Sequence, residues 1–362
     1  MLIRPAIVIK DSAVPKKATM TDIASACGVS QATVSLVLNK ARGTRISAAT
    51  QDMVIKKAAE LGYTVAHKSS GQRPVIAMLI NDVISTPHVA GLIEGVTDAA
   101  SEAGFLVTVL PTSGDDEAEQ SAIGFLARLP VVGVIYARLI TQEVVVPPGL
   151  SDWPCILLNC YVAHDLIPSV VPGDQAAGLT AVLSLLDAGH RRIAFIGGED
   201  SIEASRERLK GYKRALATCD VSYDSALVVK GGWTITGGYR AMKKLLAYAD
   251  PPTAVFCFCD RTAVGVYNAA VEAGLIVGRD LSVIGFDNEA FTADMLPPLT
   301  TMELPHTEMA RHAVEELIAM ISQQKTTTRP MRLKFDCPMV VRNSVGLALQ
   351  KQLVKKTTRA SS

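Results

Sequence analysis

The part of the chain beyond Pro74 consists of short apolar runs that alternate with longer amphipathic stretches. The apolar runs have the length and composition of buried parallel strands, and they cover 75–80, 105–110, 131–136, 155–159, 192–196, 254–259 and 282–286. The stretches between them predict helices, for example 89–103, 174–188, 203–219, 235–248, 262–273 and 306–321. Strand and helix in alternation form βαβ units, so this part is predicted to be an α/β body with parallel sheets. It is long for one sheet, and prolines near 169–173 indicate a boundary between two lobes that face a cleft.

The segment before this body has the pattern of three short helices. Thr19 and Asp22 predict a capping box that opens a helix over 20–27, and Gly28 ends it. Ser30 caps a second helix only a few residues later, and Ser47 caps a third that runs to about Leu61. Two short helices joined by a tight turn and followed by a third predict a helix-turn-helix domain.

Charge is distributed unevenly between these two parts. Residues 1–73 contain eleven Lys and Arg against four Asp and Glu, a charge of +7, whereas the remainder of the chain carries −6. A basic amino-terminal part is typical of a protein that binds a polyanion, with nucleic acid as the first candidate and an anionic membrane surface as the second. The longest stretch without a charged side chain, 23–39, is short and contains polar residues, so no transmembrane helix or secretory signal is predicted.

Several classes of site are disfavoured by the sequence. The seven cysteines are an odd number without a Cys-x-x-Cys pair, and the six histidines are scattered, so no disulfide framework or metal site is predicted. Neither a dinucleotide fingerprint nor a phosphate-binding loop nor a nucleophile elbow occurs in the sequence, so no catalytic residues and no cofactor are predicted. A reducing cytoplasm fits this cysteine usage best.

The chain resembles the LacI/GalR family of bacterial transcription regulators over almost its whole length. The resemblance is carried by Thr-Met-Thr-Asp-Ile-Ala at 19–24, Cys-Gly-Val-Ser-Gln-Ala-Thr-Val-Ser at 27–35, Leu-Gly-Tyr at 61–63, Ala-Gly-His-Arg-Arg-Ile-Ala-Phe-Ile-Gly-Gly at 188–198, Val-Ile-Gly-Phe-Asp-Asn at 283–288 and Pro-Pro-Leu-Thr-Thr at 297–301.

The resemblance implies a small all-α helix-turn-helix head and an α/β body with the two-lobed periplasmic-binding-protein-like fold. The domains expected on this basis are a mobile tail (1–18), the DNA-binding head (19–63), a hinge or linker (64–74), the effector-binding and dimerisation body (75–345) and a basic tail (346–362). Within the body, 75–172 and 304–329 are assigned to the N lobe, and 173–303 and 330–345 to the C lobe.

The second helix of the head is expected to read DNA in the major groove. Gln31 is the favoured base reader because its amide can pair bidentately with adenine, whereas Ala32 and Leu36 offer only apolar contacts. Many family members carry arginine where Leu36 stands, so their operator sequence does not transfer. The remaining residues expected at the DNA, partly by family pattern, are Thr19, Ser30, Thr33, Ser35, Asn39 and Arg45.

The hinge segment departs from the family pattern. Relatives have a short helix there whose leucine enters the minor groove, whereas residues 64–71 contain no leucine and are a few residues shorter. A poorly formed hinge helix is therefore expected.

The cleft is expected to hold a small ligand. Carried over from the family, the effector-binding residues are Arg208, Trp233, Asp260 and Asp287. Asn159, at another strand end, is expected to add an amide, and His88 stands where many relatives have an aromatic residue. An arginine fork, two carboxylates and an indole suit a sugar, which offers paired hydroxyls and an apolar ring face. A nucleoside-like ligand is the alternative, because His88 and Cys259 replace the aromatic residue and the asparagine of many relatives. Without the resemblance, Arg208 would be read as a solvated surface residue and Trp233 as lobe packing.

The combined prediction is a cytoplasmic transcription regulator, most simply a repressor, that binds a near-palindromic double-stranded operator as a homodimer. Its partners are then DNA and a small effector, expected to be a carbohydrate, and not a membrane. The tail after 346 is too short and too basic to favour a tetramer. Two alternatives from other classes are a ligand-binding module without DNA specificity and an enzyme that uses the cleft.

Overall fold

The computed structural model of the protein describes residues 19–38, 46–61, 73–84, 88–163, 166–322 and 331–348. The chain forms two compact units, Met1–Gln72 and Arg73–Ser362. Several predictions lie outside the described residues: those for the tail 1–18, the hinge segment 64–71, the last fourteen residues of the chain, Asn39 and Arg45.

The described part of the first unit consists of three helices: α1 (Met20–Cys27), α2 (Gln31–Leu38) and α3 (Ala48–Glu60). The predicted capping box between Thr19 and Asp22 is present, and Gly28 ends α1 in the left-handed conformation with φ of 65°. The apolar faces of the helices share one core, in which Ile23 and Val34 are fully buried. The predicted helix-turn-helix arrangement is confirmed.

The second unit is built from βαβ units. Its strands are β1 (Val75–Ile80), β2 (Leu106–Pro111), β3 (Val131–Glu143), β4 (Cys155–Tyr161), β5 (Ser169–Pro172), β6 (Ile193–Gly197), β7 (Val228–Lys230), β8 (Ala254–Cys257), β9 (Ser282–Asp287), β10 (Thr300–Glu303), β11 (Arg332–Phe335) and β12 (Met339–Val340). Its helices are α4 (His88–Glu102), α5 (Asp116–Leu126), α6 (Asp174–Asp187), α7 (Glu203–Thr218), α8 (Ile235–Leu246), α9 (Asp260–Glu272) and α10 (His306–Ile321).

These strands form two six-stranded sheets, each of which is the centre of one lobe. The N-lobe sheet has the order β11-β5-β4-β3-β1-β2 and is parallel throughout, with apolar clusters on both faces. The C-lobe sheet has the order β12-β10-β9-β8-β6-β7 and is parallel except for β12. The predicted doubly wound α/β body with two lobes is confirmed.

The last crossing between the lobes lies later in the chain than the sequence predicts. Residues 330–345 were assigned to the C lobe, but β11 pairs with β5 of the N lobe, with Arg332 opposite Ser169. Only β12 pairs with the C-lobe sheet, through β10. The sequence of β11, Arg-Leu-Lys-Phe, alternates charged and apolar side chains as an edge strand does, so it has no apolar run to indicate its sheet.

Glycines allow the helix pair α6 and α7 to pack closely. A Cβ atom on Gly211 would lie 2.3 Å from the carbonyl oxygen of Gln175, and one on Gly178 would lie 2.6 Å from the carbonyl oxygen of Arg208. Because α7 carries Arg208, this close contact determines where the guanidinium enters the cleft.

The substitution Gly211→Ala is therefore expected to force α6 and α7 apart and to lower the free energy of unfolding by about 1–3 kcal/mol. The matched control is Gly124→Ala in α5, where a Cβ atom would meet no described atom within 4 Å. It should be neutral or stabilising by up to about 1 kcal/mol, because alanine favours a helix. Urea unfolding of the full chain measures both, and equal effects would contradict the close-packing explanation.

His190 joins the start of the C-lobe sheet to the segment around Gly346. Its Nδ1 lies 2.9 Å from Thr253 Oγ1, and its Nε2 lies 2.9 Å from Ser282 Oγ and 3.1 Å from the carbonyl oxygen of Gly346. Burial lowers the pKa of this imidazole, and the Gly346 carbonyl offsets the effect only in part. His190 is therefore neutral in the folded protein at neutral pH.

This lowered pKa predicts a loss of stability in mild acid. Below the ordinary histidine pKa of 6.5 the unfolded chain binds a proton at His190 that the folded protein does not bind, so the free energy of unfolding falls as the pH decreases. Urea unfolding at about pH 7.5 and 5.5 should show a larger decrease for the wild type than for His190→Gln, which cannot be protonated. Equal decreases in the two proteins would show that His190 contributes nothing to the pH dependence.

Candidate functional site

The exposed face of α2 is the candidate DNA interface in the first unit. Gln31 and Ala32 are exposed, and Leu36 keeps 41% of its surface. Val34 and Val37 on the opposite face are buried in the core. The exposed face of α2 therefore presents one amide and two apolar side chains to a partner.

The hydroxyl groups near this face are partly engaged within the head. The Thr19 hydroxyl donates to Asp22 Oδ2 at 2.7 Å and accepts from the Asp22 amide, so it cannot donate to a phosphate while the cap is intact. Ser30 Oγ accepts from the Thr33 amide and lies 2.9 Å from Thr33 Oγ1. One hydroxyl proton of this last pair remains available for a phosphate, since only one of the two groups donates to the other.

The candidate ligand site in the second unit is a cavity of about 370 Å³ between the lobes. It lies where strands of both sheets end, which is where α/β folds bind ligands. Five of the six predicted effector residues line it: His88, Asn159, Arg208, Trp233 and Asp287. The remaining lining residues are Asp82, Leu139, Ile140, Thr141, Pro172, Ala204, Thr234, Cys259, Arg261, Glu289, Leu304 and His306.

Arg208 is held in the cavity wall by contacts on several sides. Its Nε donates to Asp174 Oδ1 at 2.8 Å and its Nη1 donates to the carbonyl oxygen of Phe258 at 2.5 Å. The guanidinium carbon lies 3.3 Å from the centre of the Phe286 ring. Nη2 forms no hydrogen bond with any described residue, so it is the group that can donate to a ligand.

Trp233 supplies an aromatic surface to the same cavity. The residue precedes α8, whose cap is Thr234, and its indole packs edge-to-face on Phe258 with ring centres 4.5 Å apart. It remains 36% exposed. The indole thus packs within the C lobe and also offers a face to a ligand, so the two predicted roles are compatible.

Asn159 lines the cavity, but its amide is used by the N lobe itself. Its Nδ2 donates to the carbonyl oxygens of Arg138 and Leu139, and its Oδ1 accepts from Thr141 Oγ1 at 2.6 Å. The residue is 2% exposed. The geometry therefore makes Asn159 a residue that shapes the wall rather than a free amide for a ligand.

A polar cluster connects the two lobes across the cavity. His88 Nε2, on the first residue of α4, lies 3.6 Å from Asp287 Oδ2 and 3.9 Å from Glu289 Oε1. Asp287 is the last residue of β9, and Glu289 lies two residues after it. Burial lowers the pKa of His88, but Asp287 and Glu289 outweigh that effect and leave it above its ordinary value. Arg261 Nε contacts the same Glu289 oxygen at 3.3 Å. A second connection is formed by Tyr161, whose hydroxyl donates to Glu203 Oε2 at 2.6 Å.

Asp260 follows the end of β8 as the sequence predicts, but its side chain does not reach the cavity. It is fully buried behind the wall and is not among the residues that line the cavity. Its Oδ1 accepts from Thr301 Oγ1 at 2.6 Å and its Oδ2 from the Glu289 amide at 2.8 Å. Burial, followed by the nearby Asp287 carboxylate, raises its pKa well above the usual range. The expected direct contact with a ligand is therefore replaced by a positioning contact to Glu289.

The lining includes four residues with acidic or basic side chains that were not predicted: Asp82, Arg261, Glu289 and His306. Each follows a strand end or starts a helix, so the rule that ligands bind at strand ends was a signal for all of them. His306 is 7% exposed, and burial lowers its pKa to about 3, so its imidazole is neutral. The charged residues missed by the sequence analysis are thus mainly acidic.

Comparison with protein families gives two matches. Residues 19–65 match the family of bacterial regulatory proteins called the lacI family, and residues 182–345 match a periplasmic binding protein-like domain. The first match covers the helix-turn-helix segment and the second covers most of the C lobe.

Similar proteins of known function are repressors. The HTH-type transcriptional repressor CytR of Escherichia coli is 30% identical over 90% of this chain and 96% of its own length. The ribose operon repressor of Haemophilus influenzae is 30% identical over 91% of this chain and 98% of its own. Among solved structures, the lac repressor dimer bound to operator and the anti-inducer ONPF has a TM-score of 0.64 at 26% identity, covering 91% of this chain and 100% of that one.

The positioning contact of Asp260 can be tested by substitution. Asp260→Ala leaves the Glu289 amide and the Thr301 hydroxyl without their acceptor and is expected to lower the free energy of unfolding by about 1–3 kcal/mol. Asp260→Asn keeps an oxygen for Glu289 and an N–H that the Thr301 hydroxyl can accept, so its loss should be smaller. Urea unfolding of the full chain compares the two, and equal losses would contradict the hydrogen-bonding role.

Proposed function

This chain belongs to the LacI family of bacterial regulatory proteins, and from that premise we propose a repressor whose operator affinity is controlled by a small ligand bound between its two lobes. It is a DNA-binding transcription regulator that acts as a dimer on operator DNA. The observation that carries this function is a helix-turn-helix head, with an exposed face on α2, in the same chain as a two-lobed body with a cavity between the lobes.

The residues proposed to contact DNA lie on α2 and around it. Gln31 is assigned to base reading, and Ala32 and Leu36 to apolar contacts such as a thymine methyl group. Ser30, Thr33 and Ser35 are assigned to phosphate or neighbouring contacts, and Asn39 and Arg45 keep the role that the family pattern gives them. Thr19 is assigned to capping α1, because its hydroxyl proton is donated to Asp22.

The ligand proposed for the cavity is a sugar. Arg208 Nη2 and the Asp287 carboxylate can donate to and accept from hydroxyl groups, and Trp233 offers a flat apolar face. The name of the Haemophilus influenzae relative contains a sugar, ribose, which agrees with this assignment. A nucleoside is the second candidate, since His88 and Cys259 change the wall from the family pattern.

A binding role for the cleft is favoured over a catalytic one. Cys259 is a thiol in the wall of the cavity, but burial raises its pKa to about 12, which makes it a poor nucleophile at neutral pH. The relatives named above are repressors. No described helix is both long and apolar enough to cross a membrane. We place the protein in the cytoplasm, where operator DNA is found.

The proposed domains follow the expected order, with one change. The head is assigned to 19–63, the linker to 64–74, the body to 75–345 and a tail to 346–362, while β11 is moved to the N lobe. A ligand that binds one lobe arrangement more tightly than the other shifts the equilibrium between the two arrangements. The resulting change in DNA affinity is limited by the ratio of the ligand's affinities for them.

Selection of binding sites from random duplexes tests the function directly. The purified full chain at about 0.15 M salt should enrich a near-palindrome, because two heads related by symmetry read two half-sites. Parallel selections contain candidate sugars and nucleosides, in case the ligand is a co-repressor. Folded protein that enriches no sequence under any of these conditions would contradict the repressor function and favour a ligand-binding module.

The role of Gln31 is tested on the enriched site. Gln31→Ala should weaken binding to that site by about 1–3 kcal/mol and relax the preference at one symmetric pair of base pairs, because the bidentate amide is lost. Binding to random duplex should not change. The control Gln51→Ala removes the same side chain from α3 and should leave base preference intact. An unchanged base preference in Gln31→Ala would show that this amide does not read DNA.

A further inference from the structure

We propose that His88, Asp287 and Glu289 form a binding site for a divalent transition-metal ion that links the two lobes. Their ligand atoms, one imidazole nitrogen and one oxygen from each carboxylate, all lie within 4.8 Å of one another. His88 belongs to the N lobe and the two carboxylates belong to the C lobe. The inference deepens the proposed function, because the site lies in the cavity proposed for the effector.

The spacing of these atoms suits a metal ion. Two ligands at about 2.0–2.2 Å from a tetrahedral ion lie roughly 3.3–3.6 Å apart. His88 Nε2 is 3.6 Å from Asp287 Oδ2 and 3.9 Å from Glu289 Oε1, so shifts of a few tenths of an ångström bring both pairs to that spacing. An ammonium group with hydrogen bonds of about 2.8 Å would hold its acceptors roughly 4.6 Å apart. The two distances from His88 to the carboxylates are therefore closer to those around a metal than to those around an ammonium group.

The burial of the two carboxylates is a second observation that points to a cation. The side chains of Asp287 and Glu289 are only 8% and 7% exposed. Asp287 faces the cavity and pairs with the imidazole of His88, which it shares with Glu289. Arg261 lies near Glu289 but is itself 42% exposed and is free to turn outward. Two buried carboxylates that share one imidazole are compensated only in part by it, and a metal ion would bind both.

The surroundings support both the geometry and the access of an ion. Asp260 Oδ2 holds the Glu289 amide at 2.8 Å, which positions that ligand from behind. The other side of the cluster faces the cavity of about 370 Å³, so coordination positions remain for water or for a hydroxyl group of the effector. One imidazole with two carboxylates favours Zn²⁺ or another first-row divalent ion, since Mg²⁺ and Ca²⁺ prefer oxygen ligands alone.

The test uses the full chain after removal of metal with a chelator. Calorimetric titration with Zn²⁺ should show a site with one ion per chain and a dissociation constant in the micromolar range or below. Titration with Co²⁺ should give visible absorption bands of a tetrahedral or five-coordinate ion with nitrogen and oxygen ligands. In His88→Gln and Glu289→Gln the affinity for Zn²⁺ should fall by about tenfold or more, because each variant lacks a ligand.

The matched control is Glu203→Gln, which alters a half-buried carboxylate that also connects the lobes but lies outside the cluster. It should bind Zn²⁺ as the wild type does. Circular dichroism of each variant verifies that it is folded, and Glu289→Gln is nearly isosteric.

Three results would overturn the inference. They are no saturable Zn²⁺ binding below about 1 mM, equal binding in wild type and both ligand variants, and equal loss in the Glu203→Gln control. The second would mean adventitious binding at other histidines. If the first result were found and an amine such as glucosamine bound instead, the cluster would be a site for an ammonium group. Site selection on DNA is measured separately from metal binding. A protein that binds no metal can still be a repressor, and a protein that enriches no operator can still bind a metal ion.

Discussion

The need to pair charges buried between the lobes is the constraint on which the cleft depends. An unpaired buried charge costs several kcal/mol, so every ionised group there requires a fixed partner. Arg208 is held by Asp174 and by the carbonyl oxygen of Phe258. The carboxyl group of Asp260, whose pKa burial raises, is held as a buried polar group by Thr301 and the Glu289 amide. These contacts join α6, α7, α9 and the turn after β9, and glycine contacts between α6 and α7 maintain their spacing. The cavity wall is therefore rigid on its C-lobe side.

The described contacts between the lobes include two polar side-chain contacts, one of which lines the cavity. His88 reaches towards Asp287 and Glu289, and Tyr161 donates to Glu203. Such contacts form or break when one lobe moves against the other, so a ligand in the cavity changes the balance between lobe arrangements by its differential affinity. A small molecule then controls operator affinity if the head binds DNA more tightly in one arrangement of the lobes than in the other.

Most of the fold was predictable because its signals are local. Apolar runs identified β1, β4 and β9, and caps identified α1 and α2. The short strands β5, β7 and β10–β12 were missed because their pairing is set by tertiary contacts and not by an apolar run. For the cavity, the family pattern placed Arg208 and Asp287 correctly within it, but Asp260 lies behind the wall. Glu289 and His306 were missed because their neighbours come from distant parts of the chain.

The central claim is that operator binding and lobe geometry are coupled, and a distance measured across the cleft tests it most directly. Spin labels on Gln142→Cys and Glu199→Cys, both exposed positions near strand ends on opposite lobes, report that distance after Cys27 and Cys219 are replaced by serine. Pulsed electron paramagnetic resonance of the full chain should show that the selected operator shifts the distance distribution, whereas a scrambled duplex of equal length does not. Superimposable distributions with the operator and the scrambled duplex, at full operator occupancy, would contradict the coupling.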